Sequence, residues 1–166
     1  MFNIINPRQT VIVTCRHRVK SRFSGAEEEK DNAITLDWHM PCSFKPMLYA
    51  IAVGKMRYSC KLIKESKVFV VNFIPKTMEK EALYVGRHSG EHHDKIKDSG
   101  LVLDDADTID CARIKGAIGY LECEVINEVE AGDHIIFVAK ITRSHTENIA
   151  KRLFHLEENK FTTTVD

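Results

Sequence analysis

The chain has 166 residues, 43% hydrophobic and 29% charged, enough to bury a core within one domain of ordinary size. Lys plus Arg and Asp plus Glu both number 24, a balance that excludes an electrostatically driven nucleic-acid binder and gives no pull toward an anionic membrane. No stretch is long and apolar enough to span a bilayer, so a cytoplasmic protein is expected.

Residues 9–15, QTVIVTC, are rich in β-branched side chains and predict a first strand. The charged stretch RHRVKSRFSGAEEEKD reads as a solvated loop or hairpin end. NAITLDW predicts a second strand. Pro41 and Pro46 then make a kinked connection, because each proline lacks an amide donor and restricts its predecessor. MLYAIAV is apolar on both faces and predicts a central third strand, ended by Gly54. Met56, Cys60 and Ile63 fall at helical spacing and predict a short amphipathic helix. KVFVVNFIP predicts a fourth strand, closed by Pro75. TMEKEALYVGR reads as a helix with Thr77 as cap and Glu79 and Glu81 at its positive end. SGEHHDKIKDSG reads as a second short helix stopped by Gly100. After an Asp-rich loop, two long strands are predicted, AIGYLECEVINEVEA and DHIIFVAKITRS, joined near Gly132-Asp133. Glu122 and Glu124 alternate with apolar neighbours there and predict a wet face. ENIAKRLFHLEE predicts a terminal helix over about 147–158, whose stripe of Ile149, Leu153 and Leu156 suits its own barrel or a second subunit. The pattern argues for a single, mainly β domain over 1–166. It is an antiparallel barrel over about 9–145 with six or seven strands and short accessory helices.

Familiar catalytic strings are missing: there is no GxGxxG, P-loop, GxSxG or HExxH. The five cysteines (Cys15, Cys42, Cys60, Cys111, Cys123) form no CxxC pair, which predicts reduced thiols, with neither a disulfide framework nor a metal site. His92 and His93 are adjacent, a poor arrangement for two ligands of one ion, and read as polar residues exposed to water.

Gly54 followed by KMRYS suggests a phosphate cradle. First-turn amides of a helix are unpaired, the helix dipole adds positive charge, Lys55 and Arg57 add full charges, and Ser59 adds a hydroxyl. The ordinary alternative is a solvated helix start. His134 sits where a turn enters a strand, either facing a cleft or bonding its own backbone. Trp38, the only tryptophan, is a core residue or a ligand platform. Asn72 lies inside an apolar strand and either satisfies neighbouring backbone or reaches a ligand.

In combination, these segments resemble the flavin reductase-like family of FMN-binding split-barrel proteins. The matching residues are Asn32, Ala33, Thr35, Pro41, Ser43, Pro46, Arg57, Ser59, Glu65, Ser66, Phe69, Val70, Val71 and Asn72. Gly86, Arg87, Ser89, Gly90, Asp94 and Lys95 follow, then Gly132, Asp133 and His134. The resemblance covers about residues 9–145. It implies a homodimeric split barrel holding FMN non-covalently. The strand after Asn32 and the Pro41-Cys42-Ser43 turn would face the ring and ribityl chain, with Ala33, Thr35, Trp38, Gly54, Tyr58 and Arg87 among the contacts. Arg57 and Ser59 would take the phosphate, and Asn72 would lie near the flavin. His134 would be a candidate contact for NADH or NADPH, with no catalytic side chain firmly assigned. Electrons would pass to free flavin, ferric iron or a redox partner protein. A flavoredoxin-like electron carrier, or a cofactor-free β-barrel interaction module, are the alternatives. The sequence departs from the family at Lys67, where glycine is usual, and it carries Cys42 in the turn.

Overall fold

The computed structural model describes residues 3–20, 27–147 and 149–164. Its strands are β1 (Arg8–Gln9), β2 (Val11–Lys20), β3 (Glu27–Leu36), β4 (His39–Phe44), β5 (Met47–Gly54), β6 (Val68–Phe73), β7 (Leu103–Asp105), β8 (Ala112–Ile114), β9 (Gly119–Ala131), β10 (His134–Thr146), β11 (Phe154–Glu157) and β12 (Lys160–Thr162). Three helices interrupt them: α1 (Tyr58–Ser66), α2 (Glu79–Arg87) and α3 (Lys95–Ser99).

Seven strands form one antiparallel sheet in the order β3-β2-β6-β9-β10-β5-β4. The sheet curls into a split barrel whose edges are β3 and β4. Near the split, the Trp38 carbonyl accepts the Ala52 amide at 2.9 Å. Inside the barrel, alternate residues of the strands meet α1: Val11, Val13, Ile51, Phe69 and Phe137 pack with Leu62 and Ile63. The other face of β2 and β3 is buried as well. Ile12 and Ala33 pack there against Ala82 and Val85 of α2 and against Ile114 and Leu153. Burial on both faces is why residues 11–15 read as an almost unbroken apolar run.

The Gly132 turn between β9 and β10 and the left-handed Gly100 after α3 (φ 76°) fall where expected. The first strand runs further than expected, through the charged segment to Lys20; residues 21–26 of that segment lie outside the described residues. Pro41 stands within a strand, β4, rather than in a mere connection. That is tolerated because β4 is an edge strand and proline removes no inner ladder bond. The third strand, β5, lies one place in from that edge and is not central. Thr77 falls in a short 3-10 turn (Lys76–Met78) and caps nothing. His92 and His93 precede α3 rather than lie on it.

The terminal helix is not formed. Residues 154–157 pair with β1 as β11, and the Leu153 amide and carbonyl bond to Ile74 and Thr10. Unpaired backbone in those segments offers the tail strand partners, and burying Leu153 completely outweighs local helix preference. The expected stripe is dispersed, with Leu153 inside its own chain and Ile149 in solvent.

Glu124 is exposed as the wet-face expectation has it, but Glu122 is not. It is fully buried, and its carboxylate accepts from the amides of Asp107 (2.8 Å) and Thr108 (2.7 Å). The loop after β7 covers that face and brings donors of its own, so the charge is compensated by hydrogen bonds rather than by water.

Candidate functional site

The site begins where β5 ends. The Gly54 carbonyl accepts the Arg57 amide at 2.9 Å, and Arg57 stands extended before α1 with no side chain capping the helix. The leading amides of α1 therefore look outward at its positive end. Lys55 is spent elsewhere, on Glu130 at 2.9 Å. The exposed Arg57 guanidinium forms neither an ion pair nor a hydrogen bond with any described residue.

Beneath Arg57 lies a polar layer. Ser59 is buried, and its hydroxyl oxygen accepts from Asn32 at 2.7 Å, which leaves the Ser59 proton to be donated. Gly90 closes over Asn32 so tightly that any Cβ there would collide with the Asn32 side-chain oxygen. Tyr58 turns away to meet His17 at 3.1 Å. Lys95 comes up from α3, only 4% exposed, with its ammonium donating to the Val85 carbonyl at 3.3 Å. Burial pulls the Lys95 pKa down to about 8, and the nearby Arg57 charge acts in the same direction. The exposed Arg57, an uncapped helix terminus and the Ser59 hydroxyl thus lie together, with the buried Lys95 charge close enough to feel Arg57. That donor set fits a phosphate dianion.

From Arg57 a groove runs along the edge of β3. Ile34 to Asp37 form one side, Ala52 and Gly54 the other, and Trp38 and His134 the far wall. Because β3 is an edge strand, its outer backbone groups have no strand partner. Gly86 brings α2 close to Thr35, whose hydroxyl donates to the Ala82 carbonyl at 2.6 Å. The His134 ring stacks on Trp38 with centroids 4.7 Å apart and 28° between planes. Its Nδ1 lies 2.7 Å from the Asp133 carboxylate, so it donates there, and this bond holds the Asp133 carboxyl below the usual range. That fixes the ring and leaves Nε2, which lies beside Gly54, available to the groove.

The structure thus brings together Asn32, Thr35, Trp38, Gly54, Arg57, Ser59 and His134. It does not bring in the others. Ala33 packs under α2. Pro41, Cys42 and Ser43 lie on β4 outside the groove, with Cys42 at the bulge between its neighbours. Arg87 is exposed at the last position of α2, next to the groove-lining Gly86 but not itself in the groove's wall. Asn72 is fully buried and spends its amide on the protein. It donates to the Ile12 carbonyl (3.0 Å) and accepts the Ile114 amide (2.8 Å), so backbone need and not a ligand explains it. Lys95, matched in the family segment but given no role from the sequence, is the residue that the structure adds to this neighbourhood. Its signal was its place in the glycine-rich segment after α2, but a lysine in a charged run reads as solvated.

Comparison with known proteins places this geometry. Residues 5–164 match the family model for the flavin reductase like domain. An uncharacterized protein of Archaeoglobus fulgidus is 39% identical over 113 residues, which is 68% of this chain and 64% of that one. The chain therefore spans less than two thirds of that relative. Among solved structures, an FMN-binding protein from Thermus thermophilus with bound p-hydroxybenzaldehyde superposes with a TM-score of 0.85 at 20% identity, covering 98% of this chain and 89% of the other. The flavoredoxin of Desulfovibrio vulgaris (Miyazaki F) gives 0.80 at 18% identity, over 96% and 88%.

Proposed function

The chain belongs to the flavin reductase-like domain family, and from that premise we propose that it is a redox flavoprotein binding FMN non-covalently, acting as an NAD(P)H-dependent flavin or ferric reductase. The observation that carries this reading is Arg57, exposed at an uncapped helix start beside an open strand edge, with the buried Lys95 charge coupled to it. In this reading Arg57, Lys95 and Ser59 hold the phosphate. The outer backbone of Ile34 to Asp37 meets the polar rim of the ring, and Trp38 gives it an apolar wall. When bound, FMN supplies the reversible electron chemistry that no side chain here can. The chain's own work is to orient and shield: His134, aligned by Asp133, presents Nε2 toward the nicotinamide.

The descriptions of the Thermus protein as FMN-binding and of the Desulfovibrio protein as a flavoredoxin agree with a flavin site here. One feature favours the second reading, an electron carrier without its own nicotinamide site: Trp38 already covers one face of the His134 ring. Homodimerisation belongs to the proposal too. Met40, Phe44 and Met47 of the β4–β5 hairpin are exposed and would be covered by a second copy.

Purified protein with added FMN should show flavin absorbance that co-elutes with it. Oxidation of NADH or NADPH with free FMN or ferric iron as acceptor then separates the readings. Turnover supports the reductase; bound flavin with no turnover on either nicotinamide supports the carrier; protein that leaves FMN fluorescence unchanged removes both and leaves an interaction module.

A further inference from the structure

Asp37 and Trp38 lead from β3 into β4, and both line the groove. Two other strands fasten this segment. From β1, the Thr10 hydroxyl just beyond the strand donates to Oδ1 of Asp37 at 2.7 Å, and the Gln9 carbonyl accepts from the His39 ring at 2.9 Å. Thr10 is itself tied to the tail, its amide donating to the Leu153 carbonyl at 2.8 Å. From β11, His155 brings its Nδ1 to 2.8 Å from Oδ2 of Asp37. Both oxygens of one groove-lining carboxylate are thus held by the small sheet of β1, β11 and β12.

The His155 contact is one of charge. The two side chains are 18% and 19% exposed, so water screens them little. Nδ1 is sealed from water and out of line for a hydrogen bond to the carboxylate, while Nε2 lies 3.1 Å from the Glu158 carbonyl. Both ring nitrogens face acceptors, which suits the imidazolium, protonated at each. Phe161 of β12 packs beside the ring, with centroids 5.4 Å apart, so the β11–β12 hairpin sets where the charge sits. Docking of the tail does not depend on this pair. Leu153 is fully buried in the second core, and β11 already has ladder partners in β1 and β12. An enclosed ion pair adds little net stability over apolar packing, but it selects one geometry for the groups it joins.

We propose that the β11–β12 hairpin is a clasp on the flavin groove and that His155 is a positioning residue: through Asp37 it fixes the backbone of Ile34 to Asp37, against which the flavin ring lies. This rests on the flavin reading given above. The clasp acts at the ring end of the groove and not at Arg57, so FMN and riboflavin feel it alike.

The test uses the whole chain and two readouts. The first needs no flavin: Trp38 is the only tryptophan, and His155→Gln should make its emission more easily quenched by acrylamide. The second is affinity. His155→Gln should raise the dissociation constants of FMN and riboflavin together, about threefold to tenfold, with their ratio kept. Asp37→Asn, whose amide oxygen still accepts from Thr10, should do the same, and in the double variant the two losses should not add. A merely structural role would lower the melting temperature and leave quenching and both constants of the folded chain where they were. For a parent that binds flavin, unchanged constants, a loss confined to FMN, or additive losses would each overturn the proposal. A parent that binds neither flavin would instead fail the flavin reading, and unchanged quenching would then overturn the clasp by itself. If His155→Gln does not fold, Asp37→Asn breaks the same pair from the other side and decides by the same two readouts.

Discussion

Replacing Lys95 by methionine separates what the buried cation costs from what it does. Burial lowers its pKa from 10.5 to about 8. A difference of roughly 2.5 units, at about 1.36 kcal/mol each, disfavours the charged form by about 3 kcal/mol in the ligand-free protein. Below pH 8 the lysine is charged in both folded and unfolded chains, and the folded state carries the whole penalty. Between pH 8 and 10.5 the unfolded chain holds a proton that the folded chain has released, so this contribution makes stability rise with pH. Buried Cys15, whose thiol is pushed up to about 12, acts in the opposite sense above pH 9. The difference between parent and variant is therefore the useful quantity. Urea denaturation without ligand should find Lys95→Met more stable at pH 7 by up to about 3 kcal/mol, with the gap closing as pH rises. The same variant should bind FMN more weakly. In the parent, a phosphate dianion beside Lys95 should draw a proton onto it. Calorimetry at pH 8.5 in buffers of different ionisation enthalpy should then show proton uptake with FMN and none with riboflavin. A variant less stable than the parent at pH 7, together with identical proton uptake for the two flavins, would refute the reasoning.

Asn72→Leu leaves the Ile114 amide without its acceptor in a closed core, so urea denaturation should show a loss of about 2–4 kcal/mol, with the FMN affinity of the folded fraction unchanged. Lys67 closes α1 in the left-handed region (φ 60°) while its ammonium pairs with Glu128. Lys67→Gly should be neutral or stabilising by up to about 1 kcal/mol, because glycine relieves the backbone and a surface pair contributes little. Burial lowers the pKa of His39, whose Nε2 donates to the Gln9 carbonyl and whose Nδ1 accepts from Tyr49. Its folded pKa lies below its unfolded value, so its contribution is present above about pH 6.5 and is lost as pH falls through the folded value. Thermal melts from pH 7 to 5 should show that loss, and His39→Gln should reduce it.

The long β9–β10 hairpin, α1 and the Gly100 stop were legible because each rests on local pattern. The helix start at Arg57 and Ser59 was legible for the same reason, since a helix start and the cations beside it are neighbours in the chain. What escaped depends on distant partners. Glu122 looked solvated because the amides that satisfy it come from a loop some fifteen residues away. The tail looked helical because its strand partners are residues 8–10 and 74, far off in sequence. Asn72 could not be decided until Ile114 appeared opposite it. Lys95 matched the family segment, but its burial was not legible, since only the packing of α3 against α2 and β3 encloses it.

The central claim is that Arg57 meets the anionic end of a flavin, and FMN and riboflavin differ only in that phosphate. Dissociation constants for both flavins, on the parent chain and on Arg57→Ala, isolate the contact. The account predicts that the substitution weakens FMN at least about tenfold and leaves riboflavin where it was; equal losses for the two flavins, or none for either, would contradict it.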